Sequence, residues 1–431
     1  MCLRYGRCLI SFYVAVANNK KYFTLKTMAL TAGIMIINAV LFGTVNSNKC
    51  SSFEASKDNL NKALIGHSVL EVNDKNHHDC ARTCISMSVC KSFDFDRNEH
   101  VCKLNDVDKS SVDPSEFKTK RGAIFSDISE WPSAMVGSCS SRPCKANQRC
   151  FQNGVSHVCK DITCAFDQKI ENGKVQISAP GENKFLDVAL VKCDTGYVPS
   201  QQEVKCEASE KWQPATCKLP SDCKELLDKV PEAKSGQYEI KLWTSGKILT
   251  VNCDMQTDGG GWTIFHRRMD GSVDFYRNYA EYENGFGNVD GELWLGLQYI
   301  QELAGQGSTE IRLDMTRNDS TTGHEICPDF KLTEGTKYKL NIGSCTRVDL
   351  LSIGFDHNNQ MPFSTYDRDL DTSSINCAVF LRGAWWYSKC ARVNLNGLYV
   401  TPGTSTKTGH WHYGFDYHNS LRASSVMIRR K

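Results

Sequence analysis

The sequence predicts a multi-domain α+β protein, a run of small disulfide-rich modules followed by one larger domain of strands and helices. Its 431 residues correspond to about three domains. Its 21 cysteines fall into blocks, and in a reducing cytosol so many thiols would need zinc or redox motifs. No pair of CxxC elements has zinc-ligand spacing, so disulfides in an oxidising compartment are the simpler reading. The third observation is the stretch Cys253-Asp254-Met255-Gln256-Thr257-Asp258-Gly259-Gly260-Gly261-Trp262-Thr263-Ile264-Phe265. Three consecutive glycines permit backbone conformations closed to residues with a Cβ, and Trp262 to Phe265 then reads as a buried strand.

Composition narrows the function classes. Hydrophobic residues make up 40% and aromatics 10%, as in globular chains. A formal net charge of +2 gives no electrostatic reason to expect nucleic acid as partner. Neither Gly-x-Ser-x-Gly nor His-Glu-x-x-His occurs, and Gly323-His324-Glu325 lacks a second histidine. The three glycines precede a strand and not a helix, so they make no phosphate cradle. An enzyme is not expected.

Residues 1–47 read as a targeting segment. Met28 to Val45 is dominated by apolar residues and follows Lys20, Lys21 and Lys26, a charge bias that sends the following chain across a membrane. Two readings stand. A signal peptide would be cleaved near Val45-Asn46-Ser47; an uncleaved anchor would leave a type II ectodomain. Asn38, Thr31 and Thr44 favour cleavage. An earlier apolar run from Cys8 to Ala17 ends in Ala15-Val16-Ala17 and reads either as a second cleavage site or, with translation from Met28, as upstream sequence. The expected localisation is secreted and extracellular.

Cysteine spacing then rules the chain into modules. Cys80 and Cys84 lie one helical turn apart on one face, with Cys90 and Cys102 on a following hairpin. Asp79-Cys80-Ala81-Arg82-Thr83-Cys84, Cys90-Lys91-Ser92-Phe93-Asp94-Phe95 and Cys102-Lys103-Leu104 resemble a PAN/apple module over 50–127. An unrelated disulfide-rich α+β module is the alternative. The resemblance implies Cys80 paired with Cys102 and Cys84 with Cys90, and leaves Cys50 without a partner. An unpaired half-cystine in a secreted chain suggests a bridge to another chain; a buried free thiol is the other reading. Ser129-Glu130-Trp131-Pro132-Ser133 reads as a linker. Cys139, Cys144, Cys150 and Cys159, in a segment too short to bury a core, resemble a truncated EGF-like module over 139–163. That resemblance implies Cys139 with Cys150 and Cys144 with Cys159. Cys164, Cys193, Cys206 and Cys217, with Ile170-Glu171-Asn172-Gly173, Cys193-Asp194-Thr195-Gly196-Tyr197 and Trp212, resemble a sushi module over 164–217. Its pairing would be Cys164 with Cys206 and Cys193 with Cys217, and its expected role is a spacer.

From Leu219 to Lys431 the landmarks accumulate: the glycine turn, Trp294-Leu295-Gly296-Leu297, Phe363 to Asp371, Asn376-Cys377-Ala378, Ala384-Trp385-Trp386-Tyr387-Ser388-Lys389-Cys390 and Leu395-Asn396-Gly397-Leu398-Tyr399. In this order they resemble the fibrinogen C-terminal domain, so 219–431 is identified as a member of that family. The resemblance implies bridges Cys223–Cys253 and Cys377–Cys390. Cys327 and Cys345 are additional and are expected to pair, removing about 3 kcal/mol of unfolded-chain entropy in the simple model.

Asp367, Asp369 and Asp371 alternate in a loop, a spacing that can turn carboxylates toward one hard cation. It is not an EF-hand, because Thr372 and Ala378 stand where glycine and glutamate would be needed. A solvated acidic turn is the plain alternative. The family resemblance implies a calcium (Ca2+) site from the side chains of Asp369 and Asp371 and the carbonyls of Ser373 and Ile375. It further implies a ligand pocket beside this loop, involving Lys389, Cys390, Ala391, Tyr399 and Trp411. A cis Lys389–Cys390 peptide there would aim the Cys390 N–H at an acetyl carbonyl. Relatives usually carry histidine where this chain has Ala391, and Asn419 is expected to replace the aromatic that they carry near the C-terminus. His410 and His412 are expected to be ordinary surface histidines. Asn318-Asp319-Ser320 is a glycosylation sequon at Asn318.

The leading expectation is a secreted, calcium-dependent lectin of the fibrinogen-related type, binding acetylated or other cell-surface glycans, in innate immunity. The alternative is an extracellular adhesion or growth-factor-like ligand whose fibrinogen-type domain binds a receptor protein. A homo-oligomer linked through Cys50 fits either.

Overall fold

The computed structural model describes residues 2–3, 7–8, 57–73, 76–333, 335–350 and 354–431. The readings made for Met28 to Val45 and for Cys50 lie outside the described residues. Among the described residues no helix is long and apolar enough to cross a membrane. The chain divides into two compact units, Met1–Asp161 and Ile162–Lys431.

In the first unit a five-stranded antiparallel sheet runs in the order Leu60–Leu64, Phe117–Asp127, Ser92–Asp96, Val101–Asn105, Ser68–Asn73. One helix, His77–Ile85, starts where the Asn76 side chain accepts from the His78 and Asp79 N–H groups at 3.0 and 3.1 Å, an N-cap that satisfies two orphan donors. Its inner face carries Cys80, Ala81, Cys84 and Ile85. Cys80 bridges to Cys102 on the sheet, and Cys84 to Cys90. Trp131, read from sequence as part of a linker, is instead buried, its ring edge-on to His77 at 5.3 Å and 5.7 Å from Phe93. A large aromatic beside an open helix end gains more from burial than a linker position would give it. Residues 139–161 form a hairpin, Gln148–Asn153 against Ser156–Asp161, held by Cys139–Cys150 and Cys144–Cys159. The hairpin is docked where the Cys150 N–H donates to the Ser86 carbonyl at 2.9 Å.

The second unit begins two residues before Cys164, because the Ile162 carbonyl accepts from the Phe185 N–H at 2.9 Å and Thr163 pairs with Lys184. Its first module is a small antiparallel sheet, Asp167–Ile170, Gly173–Gln176, Val188–Cys193 and Glu203–Lys205. Trp212 fills the centre and donates to the Ala165 carbonyl at 2.8 Å. Cys164–Cys206 and Cys193–Cys217 close the two ends. Gly173 is required by close approach, since a Cβ there would lie 2.7 Å from Cys217 Sγ. Val198 is fully buried and joins the core of the next domain beside Cys223 and Leu226, so the two modules share apolar packing.

The C-terminal domain is built on a nine-stranded antiparallel sheet. The C-terminal strand Ala423–Arg430 lies in its middle, between Trp262–Arg268 and Thr309–Thr316. Gly259, Gly260 and Gly261 all adopt positive φ, +81°, +73° and +78°, as the turn into Trp262 requires. Cys223–Cys253, Cys327–Cys345 and Cys377–Cys390 close within the domain. Trp262, Trp294, Trp385, Trp386 and Trp411 are fully buried. Asn318 is exposed in the turn between Thr309–Thr316 and Thr322–Pro328.

Candidate ligand and calcium loop of the C-terminal domain

The loop from Thr365 to Cys377 is held by its own acidic residues. Asp367 Oδ1 accepts from Thr365 Oγ1 at 2.7 Å and from the Tyr279 N–H at 3.0 Å, which ties the loop to the helix Tyr279–Asn284. Asp371 is half-buried; its two oxygens accept from the Ser373 N–H at 2.8 Å and the Cys377 N–H at 2.9 Å. Asp369 is exposed and, among the described residues, accepts only from the Asp371 N–H, at 3.3 Å. Burial pushes the Asp371 carboxyl above its ordinary value, and the neighbouring Asp369 charge adds to the shift. A divalent cation between them would relieve both effects. The Ser373 and Ile375 carbonyls accept no hydrogen bond among the described residues. Two carboxylates and two free carbonyls are hard oxygen donors that fit calcium, with water completing the six to eight ligands it takes. By contrast, Glu325, Cys327 and Cys345 approach one another closely, but both sulfurs are spent in a disulfide.

The residues expected to form an acetyl pocket are not equally available. Lys389 is exposed, and Cys390 and Ala391 are half-buried. The peptide between Lys389 and Cys390 is trans, because no cis bond occurs among the described residues. This corrects the cis expectation, and trans is the ordinary form for a non-proline peptide. The following segment Val393–Asn394 pairs with Trp411–His412, which brings Trp411 near the end of the bridge. Its ring, however, is 1% exposed, with Nε1 donating to the Lys407 carbonyl at 2.9 Å. Tyr399 is occupied elsewhere: its hydroxyl donates toward the Met269 and Arg422 carbonyls at 3.0 and 2.8 Å, and its ring stacks on His410 at 5.5 Å. His410 and His412 are not surface histidines. Both are fully buried, because the strand Trp411–His412 lies inside the domain and His412 Nε2 reaches Glu325 Oε2 at 3.1 Å.

Two features escaped the sequence reading. One is a buried charged core: Arg268 lies 3.5 Å from Glu292 and donates to the Leu395 and Gly397 carbonyls at 3.1 and 2.8 Å. Glu292 accepts four backbone N–H groups, those of Met269, Asp270, Gly271 and Val273. The other is an apolar surface next to the acidic loop. Ile375, Val379 and Phe380 are 49%, 50% and 47% exposed on and just before the helix Cys377–Leu381, which the Asn376 side chain caps at the Val379 N–H, 3.0 Å. The sequence signal was an apolar pair immediately after Asn-Cys-Ala, which reads equally well as core.

Comparison with known proteins fits this architecture. The family described as "Fibrinogen beta and gamma chains, C-terminal globular domain" matches residues 219–431, and the PAN domain family matches residues 50–129. Human (Homo sapiens) Ficolin-3 is 40% identical over 216 residues, 49% of this chain and 70% of that protein. Ryncolin-4 of Cerberus rynchops is 40% identical over 220 residues, 49% of this chain and 62% of its own length. Human Tenascin-R is 42% identical over 200 residues, 45% of this chain but only 14% of that protein. The chain belongs to the family of fibrinogen-related proteins, with a PAN domain ahead of its fibrinogen-type domain. Both are non-catalytic recognition and adhesion modules, so the protein is not an enzyme.

Proposed function

We propose that the protein is an extracellular adhesion or growth-factor-like ligand whose fibrinogen-type domain binds a receptor protein. The observation that carries this reading is the exposed apolar surface of Ile375, Val379 and Phe380, set beside a loop whose backbone is fixed by Asp371. Clustered exposed apolar side chains on a rigid frame mark protein contact sites. Calcium held by Asp369, Asp371 and the Ser373 and Ile375 carbonyls would stiffen that frame. Nine disulfides among the described residues suit an oxidising extracellular setting. A cleaved signal peptide, glycosylation at Asn318 and a disulfide dimer through Cys50 belong to the same reading, and the hairpin 139–161 and the module 162–218 act in it as EGF-like and sushi-like spacers.

A second reading is a calcium-dependent lectin for acetylated or other cell-surface glycans. The 40% identity to Ficolin-3 favours it. Ala391 in place of a ring that could hydrogen-bond, and the commitment of Trp411 and Tyr399 to packing, favour the protein-binding reading. A glycan array probed with calcium and again with chelator separates them. No binding to N-acetyl sugars is expected in either condition; calcium-dependent binding to them would establish the lectin.

A further inference from the structure

Strand register in the module 162–218 builds a row of charge that the fold does not need. Lys169 lies directly opposite Lys174, and Lys174 directly opposite Lys192. All three are exposed, and register places them on one face of three adjacent strands. Neighbouring strands lie about 4.8 Å apart, so the row spans about 10 Å. Like charges placed opposite one another destabilise a ladder. None of the three lysines makes an ion pair among the described residues; the carboxylates nearest in register, Asp167 and Glu203, stand only diagonal to the row.

The row also borders a concave surface. It lines a cleft of about 510 Å³ together with Asn172 and Asp194. Lys192 and Asp194 also belong to a neighbouring cleft of about 700 Å³, whose opposite wall carries Lys229 and Lys234. The two walls are fixed to each other: Gln202 Nε2 donates to the Lys229 carbonyl at 2.7 Å, and Val198 is buried in the core of the C-terminal domain. Along the combined groove five lysines face only two carboxylates, Asp194 and Glu232. The module as a whole is not basic, so the excess is local to the groove.

We propose that this groove binds a linear sulfated polysaccharide. Lysine ammonium groups are compact point charges on flexible stems, suited to sulfates whose spacing varies along a chain. A single-stranded nucleic acid would gain from stacking on aromatic faces; the groove carries two tyrosines, Tyr197 and Tyr238, of which Tyr197 is partly buried and Tyr238 is held by its hydroxyl bond to the Lys234 carbonyl at 2.8 Å. The oxidising compartment implied by the disulfides is one in which sulfated glycans, and not nucleic acids, are the usual polyanions. The site is separate from the loop Asp369–Ile375 and does not depend on the function proposed for it.

The test uses the full-length chain on immobilised heparin, with the triple variant Lys169→Ser/Lys174→Ser/Lys192→Ser beside it. All three side chains are exposed, so an unchanged melting curve is expected and serves as the folding control. Wild type should bind and be released by salt, as screened contacts require; the triple variant should bind at least tenfold more weakly, and Asp194→Ala more tightly than wild type. Chemically desulfated heparin should not compete. Equal affinity of wild type and triple variant would overturn the proposal, as would competition by desulfated heparin. Competition by single-stranded DNA as effective as that by heparin would assign the groove to nucleic acid instead.

Discussion

The backbone N–H of Cys377 donates to Asp371 Oδ2 at 2.9 Å, so the acidic loop is fastened to a half-cystine of the Cys377–Cys390 bridge. Whatever settles the Asp371 carboxylate therefore also settles the helix that begins at Cys377.

Calcium is expected to raise the melting temperature of the protein, and the double variant Asp369→Asn/Asp371→Asn to lose that response. A bound ion stabilises by RT ln(1 + [Ca]/Kd), about 2.7 kcal/mol at a hundredfold excess over Kd. The pH dependence has a definite sign. Because burial and the Asp369 charge raise the Asp371 pKa in the folded state, the folded chain holds the extra proton more tightly. Without calcium, stability falls as pH rises through the range just above 3.8; calcium opposes that fall and its own binding weakens on acidification. Calorimetry with and without calcium checks both, and a melting temperature indifferent to calcium would remove the site.

Glu292→Ala should destabilise the C-terminal domain by about 3–5 kcal/mol, since it strands the buried Arg268 without its carboxylate and frees the four N–H groups from Met269 to Val273. Urea unfolding measures it. A loss below about 1 kcal/mol would mean that the pair is not the buried brace described here.

Two buried groups, Asp94 and His266, should contribute opposite pH dependences. Burial raises Asp94 to about 6, against 3.8 for the ordinary group. The folded PAN domain therefore binds more protons between those values, and its stability falls by up to about 3 kcal/mol as pH rises through them. His266 is lowered to about 3, by burial first and by the Arg268 charge second. The C-terminal domain thus loses stability as pH falls from 6.5 toward 3, where only the unfolded chain takes the proton. Carboxyl and imidazole NMR titrations should give an Asp94 midpoint near 6 and no His266 titration between pH 5 and 8. In Asp94→Asn the share of the slope between pH 4 and 6 that Asp94 contributes should be lost.

A non-reducing gel of the secreted protein should show a dimer that becomes monomer in Cys50→Ser. Cys50 has no partner in the cysteine pattern of its module, and a bridge there would leave both C-terminal domains free to bind together, raising avidity by a hundredfold or more where target spacing permits. A wild-type monomer with one free thiol at Cys50 would contradict this.

Much of the frame was legible from spacing. The helical turn between Cys80 and Cys84, the positive-φ glycines and the strand from Trp262 all follow from local rules, and the structure closes the half-cystines within their own modules. What escaped detection was set by distant contacts. Trp131 sits among turn-forming residues yet packs on His77 and Phe93. His412 carries no sign in sequence that Glu325 waits 87 positions away. The same holds for the candidate site: Asp369 and Asp371 could be read from alternation, whereas the burial of Trp411 and the exposure of Phe380 are decided by which face of each element the completed domain covers.

Receptor binding is tested most directly by binding of the protein to cells treated with heparinase, comparing wild type with Val379→Glu/Phe380→Glu. Those side chains are half exposed, so the variant should fold normally. Wild type should bind, trypsin treatment of the cells should abolish binding, N-acetylglucosamine should not compete, and the variant should lose at least tenfold in affinity. Undiminished binding by the variant, together with full competition by N-acetylglucosamine in calcium, would contradict receptor binding.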